Sequence, residues 1–382
     1  MLRAIFIRSE VGFAALRQEW SDLLDRSASR SVFLTWEWLY ASWRSVTPDL
    51  PLYIIAVRDG AERLLGLGPF CIVRTAKPIP MRTLVFLGTE CVCSEYLDIV
   101  ADPGLVHEVV GCIWAAIRQE MHAWDCIRFT DLLENALARE HLVPLARDCD
   151  FLVLEDKGQI CPYFVFGNGR KGFWGALSPN QRSNLRRRTR KFLELGTTFE
   201  VVDSMDRLPD ALGMLFELHA KRWSERNQRG VLADEAIRRF HGEVVSLLGP
   251  KGQVRIYTLR MNGKVVASLY ALEYKNHLFY YQSGFDPEPP APRLKESQYA
   301  PGFVLMGRVL EDAAERGLAE FDFLRGAETY KFRWTDTYRV TRSVTLVPRQ
   351  RWNAVLQIGI EQTAATIKRG LKSVLRGERE AF

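Results

Sequence analysis

The sequence predicts an α/β protein built from two tandem copies of one unit, each a mixed central sheet flanked by helices. Three observations point there. Apolar strand-like runs alternate with runs of helical spacing, the same order of elements occurs twice at an offset of about 195 to 200 residues, and 382 residues is the length of two ordinary domains.

In the first copy, helical segments at Phe13 to Leu24 and Trp36 to Trp43 precede a strand at Leu52 to Val57 and the turn Asp59-Gly60. Strands follow at Leu64 to Val73, Thr83 to Leu87 and Tyr96 to Val100, then a helix from about Val106 to Met121 and a strand at Cys126 to Thr130. The second copy opens with helices at Leu208 to Trp223 and Ala233 to Leu248. A strand at Val254 to Leu259 meets the turn Asn262-Gly263, the strongest short hairpin signal a sequence can carry. Strands at Val265 to Glu273 and Leu278 to Ser283 flank a break at Lys275-Asn276. A helix from Gly302 stops at Gly317, and an apolar strand closes the unit at Phe321 to Leu324.

Chemistry concentrates just past that last strand. Arg325-Gly326 ends it, and Ala327 to Thr335 then supply a carboxylate (Glu328), a phenol (Tyr330), cations (Lys331, Arg333) and an indole (Trp334). In α/β proteins the loop beyond the carboxyl end of a strand is where ligand groups gather, although exposed ion-paired loops have the same composition.

The repeated order and the segment Asp322-Phe323-Leu324-Arg325-Gly326-x-Glu328-x-Tyr330-Lys331-x-x-Trp334 resemble the tandem acetyltransferase (GNAT-fold) proteins of the BioF2-like group, often labelled CelD-like. That group is related to the FemABX aminoacyl-tRNA-dependent ligases. The resemblance implies GNAT-like domains over residues 1–165 and 166–348, the second carrying the site, and a helical extension over 349–382. It also implies acyl transfer from acetyl-CoA or another acyl-CoA as co-substrate, with no tightly bound cofactor. The acceptor would be an amine or hydroxyl of a sugar, polysaccharide precursor or small metabolite. Aminoacyl transfer from charged tRNA, and a non-catalytic anion-binding member of the fold, are the alternatives.

The same resemblance assigns roles. The donor thioester would lie along Leu278 to Ser283, beside Tyr281 and Ser283, with its carbonyl polarised by a backbone amide. Asp322 or Glu328 would take the acceptor's proton, Tyr330 would return one to the departing thiolate, and Lys331 would stabilise developing negative charge or bind an acceptor phosphate. Arg325 and Trp334, in the same cluster, are candidates for holding the acceptor. The usual GNAT pyrophosphate loop does not match at Arg293 to Gly302. There Ser297, Gln298 and Gly302 would offer donors at a helix start.

Composition narrows the partners. An apolar fraction of 47% suffices for a core, and no apolar run of about 18 residues suggests a membrane span. Met1 to Glu10 lacks a signal peptide's central region, and the seven cysteines include no C-x-x-C pair, so a reduced, cytoplasmic chain is expected. Six scattered histidines make a metal site unexpected. Gly167-x-Gly169-x-x-Gly172 lacks the long helix a dinucleotide fold needs, and hydrolase-elbow and Walker A sequences are absent.

Residues 1–165 carry 16 Lys/Arg against 22 Asp/Glu, whereas residues 166–382 carry 36 against 24. The basic half is the half with the expected site, which favours an anionic partner such as coenzyme A or tRNA; DNA is not expected. Ser178 to Gly196 reads as a capped helix with Arg182, Arg186 and Arg190 on one stripe, a candidate phosphate contact or else a solvated face. Trp36 and Glu37 are acceptor-side candidates through the resemblance, with packing as the alternative. The segment 349–376 is an apolar-basic helix, either solvated or in peripheral contact with an acidic membrane.

Overall fold

The computed structural model describes residues 1–76, 78–89, 92–224, 230–288 and 299–363. The first half contains β1 (Arg3–Ile7), α1 (Glu10–Ala15), α2 (Arg17–Arg26), α3 (Trp36–Val46), β2 (Leu52–Arg58), β3 (Leu64–Thr75), β4 (Met81–Phe86), β5 (Val100–Ala101), α4 (Val106–Gln119), β6 (Cys126–Leu132) and α5 (Val143–Arg147). A 15-residue strand, β7 (Phe151–Val165), leads out of it. The second half follows with α6 (Gly169–Ala176), α7 (Pro179–Glu194), β8 (Thr198–Val202), α8 (Leu208–Ser224), α9 (Glu235–Leu248), β9 (Val254–Met261), β10 (Lys264–Tyr274), β11 (His277–Phe285), α10 (Pro301–Glu315), β12 (Glu320–Asp322) and β13 (Tyr338–Pro348).

The predicted repeat is real at the level of pairing. β2–β3–β4 and β9–β10–β11 are antiparallel meanders, and in each half the strand that follows the next long helix pairs parallel with the last of the three: β6 with β4, β12 with β11. Asn262 and Gly263 both take positive φ (50° and 77°), as a two-residue loop between twisted strands requires. In α7, Ser178 and Gln181 form a reciprocal capping box and Gly196 turns at φ 72°.

The halves share one sheet. Its order is β1-β2-β3-β4-β6-β13-β7-β12-β11-β10-β9-β8. β13, from the second half, lies between β6 and β7, and the far end of β7 pairs with β12. Each half thereby completes its sheet with a strand delivered from the other. One core joins α1–α4 to α8, α9 and the adjacent face of β10; a second lies beneath α6, α7 and α10.

One expected strand is largely irregular. Of the Tyr96 to Val100 run only Val100 pairs, in the two-residue β5. Tyr96 adopts φ 57°, and the half-buried Asp98 carboxylate accepts the amides of Ile99, Leu137 and Ala138 instead of leaving them to a ladder. Strand β12 likewise ends at Asp322, two residues short of expectation, for reasons that define the site. Among the described residues no helix is long and apolar enough to cross a membrane, and no metal-ligating cluster occurs.

Candidate active site

The sheet opens between β11 and β12. Their parallel pairing covers His277, Leu278 and Phe279 against Glu320, Phe321 and Asp322, then stops, although β11 runs on to Phe285. From Tyr280 onward, β11 has no strand partner on that side. Both strands contribute to the split. On β12, the Asp322 carboxylate accepts the amide of Leu324 at 2.7 Å, Leu324 adopts φ 57°, and Gly326 takes φ 113°, a conformation only glycine adopts cheaply. On β11, Tyr281 is the extra residue of a bulge, since Tyr280 faces Ala271 and Gln282 faces Tyr270.

The bulge sorts the tyrosines. Tyr281 turns into the joint core between Trp38 and His241, where its hydroxyl donates to the carbonyl of Val92 at 2.8 Å. Tyr280 faces α10, and its hydroxyl lies 2.6 Å from Ser283 Oγ and 3.4 Å from the hydroxyl of Tyr330. Three hydroxyls thus line one wall of the opening.

At its base lies a buried acid cluster drawn from both halves. Asp322 is fully buried; its Oδ1 accepts from the Tyr96 hydroxyl at 3.2 Å, while Oδ2 has no hydrogen-bond partner and lies 3.6 Å from an Arg339 nitrogen. Burial pushes its carboxyl up to about 6, against the pull of Arg339. Glu95 accepts the Arg325 amide on both oxygens, and burial, reinforced by the charge of Asp322, pushes it up to about 8. The Arg325 guanidinium pairs with Asp131 at 3.2 Å. Cys93, Tyr96, Asp131 and Leu324 around this cluster all hold positive φ between 50° and 57°. Such strain persists only where the surroundings enforce it, and it gathers at functional sites.

Residues 179–332 match the family model described as an acetyltransferase (GNAT) domain. The second half of the chain therefore carries a GNAT-type domain. Solved structures share the fold across both halves. FemX superposes with a TM-score of 0.60 at 9% identity, covering 92% of this chain and 99% of its own. A conserved protein from Bacteroides thetaiotaomicron gives 0.55 at 11%, covering 90% and 99%. The C-terminal DUF2156 domain of a protein named as a lysylphosphatidylglycerol synthetase, from Agrobacterium fabrum, gives 0.54 at 13%, covering 90% and 95%. No curated protein matches the sequence.

The opening between β11 and β12 brings some of the sequence-predicted residues together and not others. Tyr330 and Ser283 meet there through Tyr280, whereas Arg325 and the fully buried Asp322 belong to the acid cluster behind it. Lys331 is 3% exposed, and its ammonium donates to the carbonyls of Leu324 (3.2 Å) and Arg325 (2.6 Å) and pairs with the exposed Glu328 at 3.0 Å. Its three protons are all engaged in holding the loop. Trp334 is buried against Phe303 of α10, and Tyr281 points away from the cleft.

Trp36 stacks on Tyr40 and donates to the carbonyl of Phe13, which is packing. Glu37 is buried, with Oε1 held by Lys251 at 2.8 Å and by Arg17, so it joins the halves. Gly302 lies in the first turn of α10, whose N-terminus carries no side-chain cap. Ser297 and Gln298 lie outside the described residues.

The arginine stripe of α7 does not face the opening. Arg182 donates to the Trp174 carbonyl, Arg186 lies 4.9 Å over the Trp174 ring, and Arg190 pairs loosely with Glu194. Arg186 and Arg190 border a groove of about 450 Å³ between α7 and the middle of α10. Arg188, which the stripe omits, lies 6.0 Å over Phe303, beside Trp334 and the start of α10.

A larger cavity, of about 600 Å³, lies between the halves. Tyr96 and Arg339, the two side chains that hold Asp322, form part of its wall, with His277, Phe279, Glu320 and Asn135. Sequence reasoning missed Glu95, Tyr96 and Arg339. No local pattern marks them, because their partners lie up to 230 residues away.

The Glu95 assignment has a measurable consequence. A carboxyl raised above its ordinary value favours the neutral form in the fold, so its contribution to stability is lost as pH rises through about 8. The melting temperature should therefore fall progressively from about pH 5 to 8 and level off above, and fall less steeply in Glu95→Gln. Equal slopes in the two proteins would exclude a neutral Glu95.

Proposed function

We propose that the chain moves an acyl group from acyl-CoA, bound in the opening between β11 and β12, to an amine or hydroxyl of a sugar, polysaccharide precursor or small metabolite in the cavity between the halves. The observation that carries this reading is the position of Asp322. A buried carboxylate, with one oxygen free of hydrogen bonds and 3.6 Å from Arg339, stands where the parallel strands part, and the two side chains that hold it, Tyr96 and Arg339, form part of the cavity wall.

The unpaired edge of β11 beyond Phe279 offers backbone amides to the thioester carbonyl, as an oxyanion hole requires. Asp322 Oδ2 accepts the proton of the attacking acceptor, with an affinity close to the one a general base needs near neutral pH. Tyr330, at the mouth of the hydroxyl chain with Tyr280 and Ser283, supplies a proton to the leaving sulfur. Overall, the acceptor exchanges a proton for the acyl group and coenzyme A leaves as its thiol. Lys331 and Glu328 keep the loop in place. Arg188 and the start of α10 are the donor-phosphate candidates.

Aminoacyl transfer from charged tRNA is the second reading, supported by the exposed arginines of α7. Titration calorimetry separates the two. With acetyl-CoA or a longer acyl-CoA, saturable heat is expected, with stabilisation of about 2.7 kcal/mol at a hundredfold excess over Kd. Absence of heat with every acyl-CoA, together with salt-sensitive binding of aminoacyl-tRNA, would replace the first reading by the second.

A further inference from the structure

One polar group on the wall of the large cavity has no role in the transfer steps above. His277, the first residue of β11, is 7% exposed and lines that cavity. Its Nδ1 lies 2.9 Å from the carbonyl oxygen of Lys275, and a carbonyl oxygen only accepts, so Nδ1 carries the proton. In the neutral ring Nε2 is therefore the accepting nitrogen. Among the described residues Nε2 has no hydrogen-bond partner. A buried acceptor left open costs free energy until a donor reaches it.

The hairpin tip before β11 fixes this ring and another part of the cavity wall together. Lys275 and Asn276 turn the chain at φ 42° and 67°. The Lys275 carbonyl holds the imidazole, and its ammonium donates to the carbonyls of Leu24, Ser27 and Ser29 at 2.8, 2.9 and 2.9 Å. Ser27 and Ser29 belong to the cavity lining. Along the strands, His277 pairs with Glu320 and Phe279 with Asp322. Paired residues of neighbouring strands point to one face, so His277 and Asp322 share it, two residues along and one strand across, with about 8 Å between their Cα atoms. Glu320, between them, is engaged by Arg339. Nε2 is thus too far from Asp322 to serve the same acceptor atom, and is placed for a different one.

We propose that His277 positions the acceptor, its Nε2 accepting a hydrogen bond from a second N–H or O–H of the molecule whose reacting group meets Asp322. The acceptor class is thereby narrowed to amino alcohols, diamines and polyols, because an amine or alcohol with a single donor group lacks the second anchor. This rests on the acyl-transfer reading, with the acceptor in the cavity, and adds to it which acceptors fit.

Two matched probe pairs test it on the full chain: aminopentanol against pentylamine, and aminocyclohexanol against cyclohexylamine. Imidazole nitrogen NMR near neutral pH should show Nε2 of His277 unprotonated in the free protein and displaced saturably by each hydroxyl probe. Each hydroxyl probe should bind about tenfold more tightly than its partner, the gain expected of one added hydrogen bond to a buried acceptor. His277→Phe should erase that preference. His277→Gln, whose amide oxygen reaches the place of Nε2, should keep part of it, with melting temperatures of both variants as the control for folding. In turnover with acetyl-CoA the preference should appear in KM and leave kcat nearly unchanged. A protonated Nε2 in the free protein, no displacement by either hydroxyl probe, equal affinities within the pairs, or a preference that survives in His277→Phe would each overturn the proposal. Acyl-CoA binding alongside equal affinities would sink this inference alone, whereas the preference without any acyl-CoA binding would remove the transfer reading and keep the ligand class.

Discussion

Asp322→Asn should lower turnover by about two to four orders of magnitude, the usual contribution of a positioned proton acceptor. The substitution keeps an oxygen for the Leu324 amide and the Tyr96 hydroxyl, so the fold should hold and the melting temperature should move by only a few degrees. A second signature distinguishes chemistry from packing. Because burial pushes the carboxyl up to about 6, wild-type activity should climb about tenfold per pH unit below that value and level off above it. In the Asn variant the residual activity should lack that acid limb. Steady-state rates from pH 5 to 8 check both points, and a variant within a few-fold of wild type would move the proton acceptor elsewhere.

Lys331→Met should announce itself first in stability. The sequence places this lysine among the catalytic candidates, but its ammonium spans the carbonyls of Leu324 and Arg325, the two residues that turn the chain out of β12. Removing it strands buried acceptors, at about 1–3 kcal/mol, and should lower the melting temperature by several degrees. Turnover should fall with it, mainly through a raised KM, because the loop that carries Tyr330 loosens. A melting temperature equal to wild type, with turnover down by two to three orders of magnitude, would instead return Lys331 to direct stabilisation of developing charge.

Local chemistry made much of the fold legible. Asn262-Gly263 fixes a hairpin, Ser178 with Gln181 and Gly196 bracket a helix, and Gly317 stops another at φ 73°. The repeated order of hairpin, strand, helix and strand set the architecture, and the cluster after residue 321 lies beside the point where β11 and β12 part.

Two kinds of information were not in the local pattern. Which strands pair across the chain is one: β7 and β13 are ordinary apolar-polar runs, and nothing in either says that each completes the other half's sheet. The tyrosine beside the cleft is the other. Regular alternation sets Tyr281 with Ser283, but one bulged residue reverses the faces and brings Tyr280 to Ser283 instead. The partners of Asp322 were hidden for the same reason as the strand exchange. Tyr96 and Arg339 reach it only once both halves are assembled.

A crystal structure with a non-reactive thioether analogue of acetyl-CoA reads where the donor sits. In the opening between β11 and β12, the analogue's carbonyl oxygen should lie within hydrogen-bonding distance of a β11 backbone amide between Tyr280 and Ser283, with Asp322 on the acceptor side. The pyrophosphate should lie near Arg188 and the first turn of α10. Electron density for the analogue in the groove between α7 and α10, or in the cavity between the halves, with the opening empty, would contradict this placement.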